Sequence, residues 1–129
     1  MIEREFYREL GKILYAVAKA DGNIQAKEIS ELEKQILHEL KTLKHFKDNP
    51  EYLEIILTKL SFINCMRNHL PVHEAANSFR NYIMEFGDRL DHHLREMAIF
   101  LINHVAQANQ GISREEEKLI HEIKTILSP

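Results

Sequence analysis

The sequence predicts an all-α protein, a compact bundle of about six helices. Residues with high helix propensity dominate the composition, whereas only 4 of the 129 residues are glycine and 3 are proline. Apolar residues recur at intervals of three and four along most of the chain, which is the spacing of one helix face. No segment alternates apolar and polar residues as a half-buried strand does. Because a chain of this length can bury a core of its own, we expect a single domain over residues 1–129.

Three apolar stripes predict the first three helices. The first stripe runs over residues 6–17 and the second over residues 29–43, and the turn signal Asp21-Gly22-Asn23 lies between them. Asp48-Asn49-Pro50 starts the third helix, because Asp or Asn can cap a helix and proline suits its first turn. The residues of this third helix expected to face the core are Leu53, Ile56, Leu57, Leu60 and Ile63.

The second half of the chain predicts three further helices. A break over residues 68–71 separates the third helix from a fourth apolar stripe over residues 72–86. Gly87-Asp88 is typical of a C-cap glycine followed by a new N-cap, so a fifth helix should carry the stripe over residues 90–105. After a second break at residues 109–113, a sixth helix carries the stripe over residues 119–127.

A sequence repeat relates the two ends of the chain. Ala18–Glu28 matches Ala106–Glu116 at a constant offset, and each copy predicts a helix, a tight turn, a buried isoleucine and another helix. Gly22 and Gly111 supply a residue that can adopt positive φ, which a sharp reversal requires. We therefore expect two pseudo-symmetric helix hairpins, in repeat halves of approximately residues 6–40 and 94–127.

The first copy of the repeat matches half of a calcium-binding loop. With Asp21 at position 5 of an EF-hand loop, Gly22 falls at position 6 and Glu28 at position 12, as that loop requires. Positions 1 and 3 are then Val17, which cannot ligate a cation, and Lys19, which would repel one. A true EF-hand is therefore excluded.

A weaker divalent-cation site, for an ion such as calcium, remains as a hypothesis. Its oxygen ligands would be Asp21, Asn23 and Glu28, and Glu116 is the carboxylate kept in the second copy. The alternative is that these residues only cap helices and form turns. We favour capping, because it accounts for every position of the motif.

The segment LGKILYAVAKADGNIQAKEISELEKQI resembles the tellurite-resistance protein TerB-like superfamily. The likeness covers residues 6–40 and 94–127, and the middle of the chain contributes only a helical pattern. The residues that carry the likeness are Ala18, Asp21-Gly22, Ile24 and Glu28, repeated as Ala106, Ile112, Ser113 and Glu116.

This resemblance implies an all-helical bundle with an acidic face, a link to stress response and a suspected capacity to bind metal. Asp21, Glu28 and Glu116 match the acidic positions of the family. Asn109 stands where the family usually has Asp and Gln110 where it usually has Gly, which weakens a second acidic site. The resemblance implies no catalytic residue.

Two clusters of metal-ligating residue types occur elsewhere in the chain. Cys65, His69 and His73 would share one face of a continuous helix, as zinc ligands could, but Pro71 falls between them and should break that helix. His92-His93 with Glu96 is more typical of a solvated helix face. Because the chain also lacks a glycine-rich phosphate loop and an assignable catalytic triad, we do not expect an enzyme. An enzyme whose active site is assembled from scattered His and acidic residues is the least favoured alternative.

The charge and the cysteine content of the chain limit the classes of partner and the cellular compartment that we expect. Acidic residues outnumber basic ones by 20 to 17, and the small basic cluster over residues 41–47 fits a helix end, so we expect no nucleic-acid partner. No apolar stretch approaches the ~20 residues of a membrane helix, and the single Cys65 suits a reducing compartment. We expect a soluble cytoplasmic interaction or scaffolding module with a protein partner, and self-association as an open alternative.

Overall fold

The computed structural model of the chain describes residues 2–20, 30, 34, 53–108 and 114–128. These residues form helices and contain no strand, which confirms the predicted all-α fold class. Ser30 and Lys34 are helical and lie within the predicted second helix, the rest of which falls outside the described residues. The helices are α1 (Ile2–Lys19), α2 (Leu53–Arg67), α3 (Val72–Phe86), α4 (His92–Ala108) and α5 (Arg114–Leu127), with a 3₁₀ turn at Gly87–Arg89.

Helix α1 is the centre of the described bundle and packs against α2, α3, α4 and α5. The apolar stripe predicted for it is confirmed, and its buried surface also includes Tyr7, Tyr15 and Ala16. Equivalent positions of the sequence repeat are buried alike in α1 and α4, namely Ile13, Leu14 and Val17 with Leu101, Ile102 and Val105.

Helix α2 approaches α1 closely at Gly11. A Cβ atom on Gly11 would lie 2.5 Å from the carbonyl oxygen of Thr58 and 2.7 Å from Cβ of Ser61, so only glycine fits without movement. The Ser61 hydroxyl also donates a hydrogen bond to the carbonyl oxygen of Arg8, at 2.6 Å. The side of α2 that carries Thr58 and Ser61 therefore faces α1.

This approach corrects part of the predicted orientation of α2. Leu57 packs against the core as expected, and Ile63 is half-buried. Ile56 and Leu60, expected in the core, are 45% and 58% exposed. Thr58, Phe62 and Cys65 are buried instead. Apolar residues surround α2, so hydrophobic periodicity alone did not define its buried face, and the close contact at Gly11 and Ser61 decides it.

The break between α2 and α3 is confirmed, and it has the hydrogen bonds of a Schellman C-cap. The amide of Leu70 donates to the carbonyl of Cys65, and the amide of His69 donates to that of Met66. His69 takes the left-handed conformation, with φ of 50°. The Tyr15 hydroxyl donates to the Leu70 carbonyl oxygen at 2.8 Å and so ties this loop to α1.

The junction between α3 and α4 differs from the prediction. Gly87 follows α3 directly, but its φ is −55°, so it is not a left-handed cap, and Asp88 lies in the 3₁₀ turn rather than at a helix start. The N-cap of α4 is Asp91, whose Oδ1 accepts a hydrogen bond from the amide of His93 at 2.8 Å. The Arg95 guanidinium donates to the carbonyl oxygens of Gly87 and Leu127 and so joins this junction to the end of α5.

None of the helices in the described ranges combines the length and the apolar character needed to cross a membrane.

Candidate functional site

A cleft of about 460 Å³ opens where the C-terminal end of α1 meets α3 and α5. Its apolar lining comes from Ala20, Val72, Ala76 and Leu119, one or two from each of the three helices or their ends. Pockets of this size are typical of ligand-binding clefts, which span ~300–1,000 Å³. The apolar lining gives a ligand a surface on which to exclude water.

Cationic side chains surround this apolar lining. Lys19 comes from the last turn of α1, Arg80 from the middle of α3, and Lys118 from the second turn of α5. Arg80 forms an ion pair with Glu122, the carboxylate that lines the cleft, and also donates to the Asn77 side-chain oxygen. The described lining therefore carries three cations and one carboxylate, while the whole chain has a net charge of −3.

The side of α3 that lines this cleft includes residues of its first turn. Its first two residues, Val72 and His73, line the cleft, and the N-cap position is held by Pro71, which makes no side-chain capping hydrogen bond. Amide groups of the first helical turn are electropositive and lack partners within the helix. The cleft therefore combines cationic side chains with the positive end of a helix.

A second hollow of about 620 Å³ adjoins the cleft along α5. Two cations, Arg114 and Lys118, and two carboxylates, Glu117 and Glu122, line it together with His121. Lys118 and Glu122 line both hollows, so the two are continuous. Residues 114 to 122 cover about 12 Å of helix at 1.5 Å per residue, enough to follow several residues of an extended chain.

A buried polar network joins α1 to α3 on another side of α1. The Ser78 hydroxyl donates to Glu9 Oε1 at 2.7 Å, and the Lys12 ammonium donates to Ser78 Oγ and Glu9 Oε2, each at 3.0 Å. The Ser78 proton is thus directed at a carboxylate, the Lys12 ammonium is ion-paired, and the trio links α1 to α3 through charge-assisted hydrogen bonds.

Two groups near this network have raised pKa values. Burial raises the pKa of the Cys65 thiol above its ordinary value, an effect that Lys12 opposes and Glu9 reinforces. Burial, together with the Glu5 and Glu9 carboxylates, raises the pKa of Tyr82 to about 12. Both groups are therefore neutral at physiological pH, and Cys65 lacks the lowered pKa of a reactive thiol.

The residues predicted to hold a divalent cation are only partly described. Asp21, Asn23 and Glu28 lie outside the described residues. Glu116 lies in the first turn of α5 and is fully buried, with 0% exposure. The described ranges thus place one of the four predicted ligands, in a position that capping and cation binding both allow.

Of the two other clusters of metal-ligating residue types, the first is dispersed and the second lies on an exposed helix face. Cys65 is buried at the end of α2, His69 lies in the following loop and His73 is exposed in α3, so the expected helix break at Pro71 is confirmed. His92 Nε2 lies 2.8 Å from Glu96 Oε1 on the exposed surface of α4, as expected of a solvated face. Within the residues that the structure describes, no three His, Cys, Asp or Glu side chains are grouped as metal ligands.

Sequence reasoning did not find the cationic cleft. Lys19, Arg80 and Lys118 lie on three helices far apart in the sequence, and only the packing of α1, α3 and α5 brings them together. The one local signal was Lys19, directly before the Asp21-Gly22 turn, which sequence reasoning used only to exclude a calcium ligand. The basic cluster over residues 41–47 that it did single out lies outside the described residues.

Comparison with known proteins identifies one family whose model matches this chain. The family model described as "Tellurite resistance protein TerB" matches residues 8–128. Neither the curated proteins nor the solved structures contain a match to this chain. The match extends across both copies of the repeat and the helices between them, and so covers the part that the sequence motif alone left unassigned. The chain belongs to the TerB family.

Proposed function

We propose that this TerB-family chain is a non-enzymatic module that binds another protein, and that the partner docks in the cationic cleft between α1, α3 and α5. The observation that carries this proposal is the cleft itself, whose lining combines apolar side chains with charged and polar ones. Protein interfaces combine an apolar centre with a polar rim in the same way.

A site-specific cross-linking experiment tests this docking surface. Asn77 lines the cleft, whereas Asn81 is exposed one turn later on α3 and does not line it. A photo-cross-linking residue at position 77 of the full chain should give a discrete protein adduct in the native cell, and the same residue at position 81 should not. Equal adducts at both positions would place the partner elsewhere, and no adduct at either position would contradict the interaction function.

We propose further that residues 1–129 form a single domain, with repeat halves near 6–40 and 94–127. Support comes from the family match over residues 8–128 and from α1, which packs against every other described helix. A cytoplasmic location is supported by the free thiol of Cys65. A role in stress response rests on the family resemblance alone.

A second proposal is a divalent-cation site formed by Asp21, Asn23 and Glu28, with Glu116 as the counterpart in the second copy. The observation that favours it is the full burial of Glu116, since carboxylates are seldom buried without a specific role. Calcium at millimolar concentration should then raise the melting temperature of the wild-type chain. The double variant Asp21→Ala with Glu28→Ala should lose that shift. The absence of any shift in the wild-type chain would contradict the site.

A further inference from the structure

We propose that the partner enters the cationic cleft with an acidic segment, in which Asp or Glu side chains flank an apolar residue. This inference rests on the proposed function, because it assigns the chemistry of the ligand to the docking surface proposed above. It follows from the charge, the helix end and the apolar lining that meet in the cleft.

The charge of the cleft is opposite to that of the chain. Lys19, Arg80 and Lys118 face one lining carboxylate, that of Glu122, in a protein whose net charge is −3. Complementary charge directs diffusional encounter and excludes partners of the wrong sign. An acidic segment is therefore attracted to this surface although the chain as a whole carries the same sign of charge as the segment.

The N-terminal end of α3 adds the positive end of a helix dipole to this attraction. Helix α3 has 15 residues, and Pro71 leaves its first turn without a side-chain cap. Because Val72 and His73 line the cleft, a carboxylate bound there lies at the positive end of the helix dipole. This position favours a carboxylate over a neutral amide of the same shape.

Arg80 already shows the contact that an acidic ligand would make. Its guanidinium pairs with Glu122, whose side chain is itself 54% exposed. An entering carboxylate can replace Glu122 as the partner of Arg80, or can bind Lys118 beside it. A guanidinium presents several donors in one plane, so it can hold two carboxylates at once.

The apolar lining and the small number of cations distinguish an acidic protein segment from other anions. Val72, Ala76 and Leu119 offer a surface for an apolar side chain, which a nucleic-acid backbone does not supply. Tight nucleic-acid binding draws on ~6–10 phosphate contacts, more than three cations provide. Because the chain itself is acidic, a second copy of it is the competing occupant, and the test below separates the two.

The test measures binding of a fluorescent peptide to the full chain by anisotropy. The probe alternates Glu and Asp around a central Leu, and a matched peptide carries Gln and Asn instead. The acidic peptide should bind at least about tenfold more tightly than the amide peptide, and its affinity should fall as salt rises. Equal binding of the two peptides would overturn the acidic specificity.

Charge reversal within and outside the cleft locates the site. Lys118→Glu should weaken binding of the acidic peptide about tenfold or more, because it replaces an attraction with a repulsion. Arg89→Glu is the matched control: it changes a cation to a carboxylate at an exposed residue that follows the C-terminal end of α3 and does not line the cleft. Circular dichroism should show that both variants keep the wild-type helix content. Equal loss of affinity in the two variants would overturn the assignment to the cleft.

The peptide-binding test and the cross-linking test can fail independently of each other. An adduct at position 77 together with failure of the acidic peptide would keep the interaction function and reject this ligand chemistry. An adduct formed only with a second copy of the chain, seen as a dimer by sedimentation, would likewise reject an acidic segment of another protein. Tighter binding of single-stranded DNA or of anionic vesicles than of the acidic peptide would also overturn it.

Discussion

At the scale of single residues, Gly11 controls how closely α1 and α2 pack. Replacing a glycine inside a helix with alanine normally raises the free energy of unfolding by about 1 kcal/mol, because alanine has the higher helix propensity. In this protein the new Cβ would meet the Thr58 carbonyl oxygen at 2.5 Å, and backbone atoms cannot move aside as a flexible side chain can. We therefore predict that Gly11→Ala lowers the free energy of unfolding by about 1–3 kcal/mol, measured by urea denaturation.

The sign of this effect separates close packing from helix propensity. Glu96→Ala is a suitable control, since Glu96 is exposed on α4 and should change stability by less than about 0.5 kcal/mol. A Gly11→Ala variant as stable as the wild-type chain, or more stable, would show that α1 and α2 are not in tight contact at Gly11.

The pKa of Tyr82 predicts how the free energy of unfolding changes with pH in the alkaline range. Its pKa rises from 10.0 to about 12 in the folded chain, chiefly through burial. Between these values the unfolded chain has released the phenolic proton while the folded chain retains it. The unfolded state therefore binds fewer protons, and stability falls as pH rises through this window.

Tyr82→Phe should make this alkaline loss shallower, because the variant has no proton to release at this position. Urea unfolding at a series of pH values from about 9 to about 12 measures it, with tyrosinate absorbance as an independent record of ionisation. Tyr15 and Cys65 have pKa values shifted in the same direction, so a residual slope should remain. An unchanged slope in the variant would contradict the assignment to Tyr82.

At the scale of elements, α4 begins because of Asp91. Its carboxylate accepts the amide of His93, and its own carbonyl accepts the amides of Leu94 and Arg95. We predict that Asp91→Ala destabilises the chain by about 1 kcal/mol, whereas Asp91→Ser retains most of the stability because serine also caps helices. Thermal unfolding of both variants measures this difference. Asp88→Ala should destabilise the chain less than Asp91→Ala does. A larger loss of stability from Asp88→Ala would indicate that Asp88 caps α4, as the sequence predicted.

The elements themselves were more predictable from sequence than their orientation. Helical periodicity is a local property, so the stripes of α1, α3, α4 and α5 are buried largely as expected. Helix α2 carries apolar residues on several sides, and its buried face depends on a contact with Gly11, which is distant in sequence. The cleft was not predictable for the same reason, since Lys19, Arg80 and Lys118 meet only through tertiary packing.

At the scale of the whole molecule, α1 should make unfolding cooperative. Because α1 contacts α2, α3, α4 and α5, the loss of its packing removes a contact from each of them. Leu14 is fully buried on α1, whereas Leu60 is 58% exposed on α2, although sequence periodicity placed both in the core. The two leucines therefore form a matched pair of the same residue type in different environments.

We predict that Leu14→Ala lowers the free energy of unfolding by about 2–5 kcal/mol, and that Leu60→Ala changes it by less than about 1 kcal/mol. Far-ultraviolet circular dichroism and tyrosine fluorescence should report coincident transitions in the wild-type chain and in both variants, as expected for a two-state domain. Equal losses of stability from the two substitutions would indicate that Leu60 is buried and that α2 has the orientation predicted from the sequence. Separate transitions for helix content and tyrosine environment would mean that α1 does not couple the helices into one cooperative unit.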